Sequence, residues 1–256
     1  MSRSEALRSA AVADRLAAIA ALTAQGSADP EELAALVECL AHPAKAVARR
    51  AAEACGVLSR RGVGVRDVLL RHLTAPDMRR RWGAAFALSM LGEPPPESAA
   101  ALLEALGCDD GDIRWAAADI LRRLQGRPDL LDRLCALLRE GNAAQRKMAA
   151  YCLRDLDARR DVVAPALSAA LDDSEPAVRL AAMSALARLC VDRAAAARRI
   201  ALRLSDVDAG VQRAAAATLG QLGERSEPVL AALRAAAGSS DTSLQRAANR
   251  SLRILG

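Results

Sequence analysis

Residues 173–182 have the sequence Asp173-Ser174-Glu175-Pro176-Ala177-Val178-Arg179-Leu180-Ala181-Ala182, a polar turn followed by the start of an amphipathic helix. The segment that begins at Val178 recurs with similar residues along the whole chain. Its copies begin at Val47, Arg80, Ile113, Gln145, Val178, Val211 and Leu244, and one further step back reaches Asp14. Successive copies therefore lie about 33 residues apart, a period typical of solenoids, in which each repeat buries its apolar face against its neighbours.

Each repeat is predicted to contain two helices, which we call helix A and helix B. Helix B begins at the first residue of each copy, counted as position 0, and its positions 0, 4, 8 and 11 are mostly apolar or small. These positions share one quadrant of a helical wheel, as in an amphipathic helix. Helix A supplies a matching apolar face, for example Val163, Leu167 and Leu171. Prolines at Pro30, Pro128 and Pro228 indicate helix starts. The sequence thus predicts an all-α fold of about eight two-helix repeats.

Composition limits the class of protein further. The chain is 52% hydrophobic but only 2% aromatic, so its core must consist mainly of Ala, Leu and Val. Six cysteines and two histidines lack zinc-ligand spacing, and we expect no metal and no cofactor. The scattered cysteines suggest reduced thiols and a cytoplasmic location. No stretch is long and apolar enough to be predicted to span a membrane.

The run from Asp173 to Ala182 resembles the turn and second helix of a short HEAT repeat, of the phycobilisome-lyase-like subtype. The resemblance covers nearly the whole chain. It implies a right-handed α-solenoid that forms one domain over residues 1–256, with residues 1–26 as a degenerate N-terminal cap repeat and 227–256 as the C-terminal cap repeat. It also implies that the B helices line the concave, partner-binding side.

Positions 2, 6 and 9 of helix B lie opposite the predicted core and should face the concave groove. All four aromatic residues, Trp82, Phe86, Trp115 and Tyr151, occupy such positions in three consecutive repeats. Because packed helices lie about 8–10 Å apart, we expect Trp82 and Trp115 to be neighbours. The i, i+4 spacing places Trp82 beside Phe86. The rings have two interpretations, a binding patch or packing between successive helices.

The B helices also concentrate positive charge. They carry 18 positive and six negative side chains, whereas the whole chain has a net charge of +5, so the groove should be basic. Arginines at position 1, namely Arg81, Arg114, Arg146 and Arg179, are expected to bond acidic turns as a ladder. The remaining cations are candidates for ligand contact. The candidate binding residues are Arg49, Trp82, Phe86, Trp115, Asp119, Arg122, Lys147, Tyr151, Arg154, Arg213, Arg246, Arg250 and Arg253.

These features favour a non-catalytic scaffold whose groove holds a protein partner or another acidic ligand. A nucleic-acid partner is an alternative, because basic residues bind phosphates and aromatic rings stack on bases. The pair Trp115 and Asp119 resembles in kind the site of HEAT-like alkylpurine DNA glycosylases, and only that resemblance would make Asp119 catalytic. A bilin lyase-like or chaperone role is implied by the repeat subtype alone. An enzyme of the deoxyhypusine hydroxylase kind is disfavoured, because neither His42 nor His72 is followed by Glu.

Overall fold

The computed structural model describes residues 2–124, 128–189 and 192–256. The chain divides into two compact units, Met1–Gly126 and Arg127–Gly256. Unit 1 contains four helix pairs: α1 Arg3–Leu7 and α2 Val12–Gln25, α3 Pro30–Glu38 and α4 Lys45–Arg60, α5 Val65–His72 and α6 Met78–Met90, and α7 Ala99–Ala105 and α8 Gly111–Arg123.

Unit 2 also contains four pairs: α9 Pro128–Glu140 and α10 Ala143–Asp155, α11 Val163–Ala169 and α12 Pro176–Leu189, α13 Arg193–Ala201 and α14 Ala209–Leu222, and α15 Glu227–Ala237 and α16 Thr242–Leu255. The described residues contain no strand. The prediction of an all-α solenoid of eight two-helix repeats is confirmed, and the even-numbered helices are the B helices. No helix in the described part of the chain has the length and apolar character needed to cross a membrane.

The A helices α3, α9 and α15 begin at or beside the predicted prolines, whereas every B helix begins two residues before position 0 of its copy, because in most of them a preceding turn residue caps the first turn. Helix α3 begins at Pro30, where the Asp29 side chain accepts a hydrogen bond from the Glu32 backbone N–H and the Glu32 carboxylate accepts one from the Asp29 backbone N–H. Asn142 and Gln145 make the same reciprocal cap at α10. These caps satisfy backbone donors that the first helical turn leaves unpaired, so the polar turns fix where each B or A helix begins.

The core follows the predicted helical face. Val178, Ala182, Leu186 and Leu189 are all buried in α12. Within each unit the B helices pack side by side, α2 on α4 and α4 on α6 in unit 1, and α10 on α12, α12 on α14 and α14 on α16 in unit 2. A helix between two neighbours must also bury its flanks, which explains the many small alanines.

Position 9 of helix B does not generally face solvent, which corrects the predicted stripe. Gly56, Ser89 and Gly220 occupy this position and are all buried. A Cβ atom on Gly220 would lie 2.5 Å from the Ser251 Oγ of the next B helix. Position 9 therefore packs against the neighbouring repeat wherever its residue is small enough to allow close approach.

The predicted bonds from position-1 arginines to acidic turn residues of the next repeat are present at Arg146 and Arg179. Arg179 donates hydrogen bonds to the carbonyl oxygens of Asp173 and Ser174 in its own turn, and to the Asp206 carboxylate of the next turn at 2.6 Å. Arg146 bonds the Gly141 carbonyl oxygen and Asp173 in the same manner. Arg81 bonds Glu104, and Arg114 bonds two carbonyl oxygens of its own turn. Arg146 and Arg179 therefore join successive turns, whereas Arg81 bonds a carboxylate on helix α7.

The cysteines behave as small apolar residues. Cys39, Cys55, Cys108, Cys135 and Cys152 are buried free thiols, whereas Cys190 lies outside the described residues. Burial raises the pKa of Cys55 and that of Cys152 to about 12. Both side chains are therefore uncharged thiols at neutral pH, as their core positions require.

Candidate binding site

A cavity of about 200 Å³ opens in unit 1 between α4, α6 and α8. The 3-10 turn Cys39–Ala41 and the residues that follow it close one side. The cavity is lined by Leu40, Ala41, His42, Pro43, Lys45, Ala48, Arg49, Arg79, Trp82, Phe86, Asp110, Asp112, Ile113 and Ala116. It therefore combines apolar walls with both signs of charge.

One face of α6 forms the aromatic wall. Trp82 and Phe86 are one helical turn apart, and their ring centroids lie 5.4 Å apart at an interplanar angle of 32°. Both side chains are half-buried, so part of each ring is accessible from the cavity. Tilted ring pairs at this distance attract each other beyond the burial of their area. The sequence prediction that these two rings are neighbours is confirmed.

Gly83 sets how closely α6 approaches the preceding repeat. A Cβ atom at Gly83 would lie 2.8 Å from both the Cβ and the carbonyl oxygen of Leu40. Any larger residue would force apart two backbone segments that border the cavity. Because Gly83 has no side chain, the aromatic wall of α6 can pack directly against the turn that contains Leu40.

Lys45 closes the cavity on another side. Its ammonium group lies 2.5 Å from an Asp112 carboxylate oxygen and 3.1 Å from an oxygen of Asp110. Lys45 belongs to the second repeat and both carboxylates belong to the fourth, so this bridge passes over the third. The start of α4 and the start of α8 are consequently close together at this end of the cavity.

The bridge shifts the pKa of Lys45 and that of Asp110. The hydrogen bond from Lys45 lowers the pKa of Asp110, and the backbone N–H of Asp112 adds to this effect. Hydrogen bonds to Asp112 and Asp110 raise the pKa of Lys45. Lys45 and Asp110 are therefore charged at neutral pH, and the Lys45 ammonium already contacts two carboxylates.

Arg49 and Arg79 are the other two cations of the lining. Both are exposed at the cavity rim. Within the part of the chain that the structure describes, neither guanidinium group makes an ion pair or a side-chain hydrogen bond, in contrast to the ladder arginines. These two groups can therefore bind a ligand without first breaking an internal bond.

Trp115 and Asp119 do not line the cavity. Helix α8 contributes Ile113 and Ala116 to the lining, whereas Trp115 is 51% exposed and is not among the lining residues. Asp119 is exposed and forms an ion pair with Arg122 on the next turn. The structure therefore brings Arg49, Trp82 and Phe86 together, whereas Trp115, Asp119 and Arg122 are not among the residues that line the cavity.

The remaining predicted residues belong to unit 2. The Arg154 guanidinium lies over the Tyr151 ring at 4.9 Å and also bonds Asp155 and Ser184. Lys147 is half-buried. Arg213 lies 3.9 Å from an oxygen of Asp241. Along α16, Arg246, Arg250 and Arg253 are exposed on one face.

Several lining residues were missed by the sequence analysis, namely His42, Lys45, Arg79, Asp110 and Asp112. The periodic pattern treats the turns and the helix starts as connectors, yet these residues come from there. One signal was available, since Lys45 is one of only two lysines in an arginine-rich chain. Among the described residues, no group of His, Cys, Asp and Glu is arranged to hold a metal ion.

Comparison with protein families identifies the repeat. A model of HEAT repeats matches residues 33–122, 99–187 and 163–253 in three overlapping segments. Among curated proteins, none matches the chain.

Solved structures with TM-scores of 0.5 or more agree on the fold. The chain is similar to Kap95p, in a structure described as its complex with RanGDP, with a TM-score of 0.68 and 12% identity over 99% of this chain and 41% of Kap95p. The Escherichia coli protein YibA has a TM-score of 0.57 and 16% identity over 99% of this chain and 93% of YibA. An engineered protein has a TM-score of 0.50 and 20% identity, covering 99% of this chain and 77% of its own.

Proposed function

Because the chain belongs to the HEAT-repeat family, we propose that it is a non-catalytic scaffold that binds a segment of a protein partner in the cavity of unit 1. The observation that carries this proposal is the accessible ring pair of Trp82 and Phe86 in a cavity whose rim bears Arg49 and Arg79. Trp and Arg are among the residues that contribute most to binding energy at protein interfaces.

The size of the cavity supports a polypeptide ligand. At about 200 Å³ it is smaller than the pockets of roughly 300–1,000 Å³ that enclose drug-sized molecules. A single side chain that projects from a partner segment would fill it. The fold similarity to Kap95p, which binds RanGDP, also supports a protein partner.

We further propose that residues 1–256 form one solenoid domain of the short, phycobilisome-lyase-like repeat type, capped by residues 1–26 and 227–256. The repeat period of about 33 residues supports the subtype. Helix α1 has only five residues, and Gln245, Arg246, Asn249 and Arg250 keep α16 polar on its outside. Both features suit terminal repeats, which have a neighbour on one side only.

The proposal can be tested by selecting peptides from a random display library on the full chain. We expect the selected peptides to bind the wild type and to lose at least about tenfold in affinity on Trp82→Ala plus Phe86→Ala, as loss of aromatic anchors does at other interfaces. Trp115→Ala is the matched control, because it removes an exposed indole outside the cavity, and it should leave the dissociation constants unchanged.

A second variant tests whether loss of binding could come from damage to the fold. Ala48 lines the cavity and is half-exposed, so Ala48→Phe should fill the space without removing any existing contact. Peptide binding should fall while the thermal unfolding midpoint stays close to that of the wild type. The proposed site would be refuted if no peptide were recovered. It would also be refuted if the selected peptides bound the wild type, the Trp82→Ala plus Phe86→Ala variant and the Ala48→Phe variant equally well.

A further inference from the structure

We infer that the segment bound in this cavity carries a carboxylate beside an apolar side chain, so that its ligand class is an acidic, hydrophobic peptide. This inference rests on the proposed function and adds the chemistry of the ligand. Two observations support it. The acidic side chains of the lining are already paired with Lys45, and the arginines and aromatic rings follow a fixed order along α4 and α6.

The acidic groups of the lining are already occupied. Asp110 and Asp112 both contact the Lys45 ammonium, and Asp110 also accepts a hydrogen bond from the backbone N–H of Asp112. A cationic ligand would have to displace Lys45 from two carboxylates before it could bind them. It would also meet the like charges of Arg49 and Arg79 at the rim.

The available groups of the lining are cationic. Arg49 and Arg79 face the cavity from two different helices, and no ion pair restrains either of them in the described structure. A guanidinium group can bind a carboxylate through two parallel hydrogen bonds. A carboxylate at the rim would therefore gain charge-assisted bonds without breaking one.

The order of groups along α6 gives the ligand a direction. Arg79, Trp82 and Phe86 are spaced i, i+3 and i+7, so a guanidinium, an indole and a phenyl ring follow one another on one helix face. A ligand that places its carboxylate at Arg79 would place an adjacent apolar side chain against the rings. This arrangement matches an acidic residue next to a large apolar one in the partner.

The test uses acetylated, amidated nonapeptides with a central Leu, Ile, Phe or Met. Each has two flanking glutamates, and matched sets replace these with glutamine or lysine. On the wild type, the best glutamate peptide should bind about tenfold more tightly than its glutamine counterpart, as expected for added charge-assisted hydrogen bonds. The lysine counterpart should bind most weakly.

Two variants with opposite expected effects make the test specific. Arg49→Gln plus Arg79→Gln should abolish the preference for glutamate over glutamine. Asp112→Asn should strengthen glutamate-peptide binding about two- to fivefold, because it releases positive charge on Lys45. A merely structural role for these residues would not produce a gain. Arg122→Gln, which removes a cation outside the cavity, is the control and should change nothing.

The outcomes separate this inference from the proposed function. Equal binding of the glutamate, glutamine and lysine sets, or weaker glutamate-peptide binding by Asp112→Asn, would overturn the acidic ligand class. The scaffold proposal would still stand if library-selected peptides depended on Trp82 and Phe86. Failure of every glutamate peptide to bind, while selected neutral or basic peptides do bind, would overturn the ligand class alone.

Discussion

The ammonium group of Lys45 lies 2.5 Å from a carboxylate oxygen of Asp112, although 67 residues separate them and helix α6 lies between them in sequence. Both side chains are well exposed, so water screens the pair and its contribution to folding stability is small. The ion pair matters for the binding site because of where it lies. The bridge joins the second and fourth repeats beside the Trp82 wall, and it sets which charges of the cavity remain available.

The buried ladder pair of Arg179 and Asp206 should matter far more for stability. Their side chains are only 6% and 3% exposed. Asp206→Ala leaves a buried guanidinium without its carboxylate, and we expect it to lower the free energy of unfolding by about 3–5 kcal/mol. Glu227→Ala, which breaks the exposed pair with Arg234, should cost less than about 1 kcal/mol. Urea unfolding measures both values, and equal costs would contradict the role of burial.

Two helical glycines should respond in opposite directions to the same substitution. Gly83→Ala places a methyl group 2.8 Å from Leu40 and should lower the free energy of unfolding by about 1–3 kcal/mol. At Gly56 the nearest atoms lie at 3.5 and 4.0 Å, so Gly56→Ala should stabilise the protein by about 0.5–1 kcal/mol through helix propensity. Thermal melts of the two variants test the close approach at Gly83, and a stabilised Gly83→Ala would disprove it.

Acid should unfold the protein by protonating the ladder carboxylates. Burial alone would raise the pKa of Asp206 and of Asp173, but hydrogen bonds from Arg179 and Arg146, respectively, and from nearby backbone N–H groups outweigh it. Both values therefore fall below the ordinary 3.8. A carboxyl with a lowered folded pKa stabilises the protein above its unfolded pKa, and this stability is lost as pH falls through the folded pKa.

Urea unfolding of the wild type should therefore show stability falling from about pH 4 downward. Asp206→Asn should be less stable than the wild type at neutral pH, and the gap should narrow as the pH is lowered. A gap that stays constant across this range would show that the Asp206 carboxylate has the same pKa in both states.

Buried thiols should be protected from alkylation. Burial raises the pKa of Cys55 and Cys152 to about 12, and the thiolate is the form that reacts with iodoacetamide. In the native protein at pH 8, peptide mapping by mass spectrometry should show modification at these two sites at least about a hundredfold slower than in urea. Comparable rates in both conditions would show that neither side chain is in the core.

The fold was predictable because the repeat makes each helix face visible several times over. The face of Val178, Ala182 and Leu186 is buried as its spacing indicates, and Arg179 bonds the next turn as its position indicates. Periodicity reports the orientation of a residue within its own helix. That is enough for the core and for neighbours such as Trp82 and Phe86, which share one helix.

The site was only partly predictable because it depends on how neighbouring helices are rotated and placed. Trp82 and Trp115 occupy the same repeat position. Trp82 nevertheless lines the cavity, whereas α8 contributes Ile113 and Ala116 to the lining and not Trp115. The contact of Lys45 with Asp112 depends on how the second and fourth repeats are placed relative to each other, which no single repeat encodes. The close approach at Gly83 depends on the Leu40 backbone of another repeat.

The central claim is that a partner segment binds against Trp82, and the fluorescence of this residue tests it most directly. Trp115→Phe leaves Trp82 as the only tryptophan. Titration with the best glutamate-flanked peptide should shift the Trp82 emission to shorter wavelength and saturate at the dissociation constant measured independently by calorimetry. A peptide that binds by calorimetry but leaves the Trp82 emission unchanged would contradict the account.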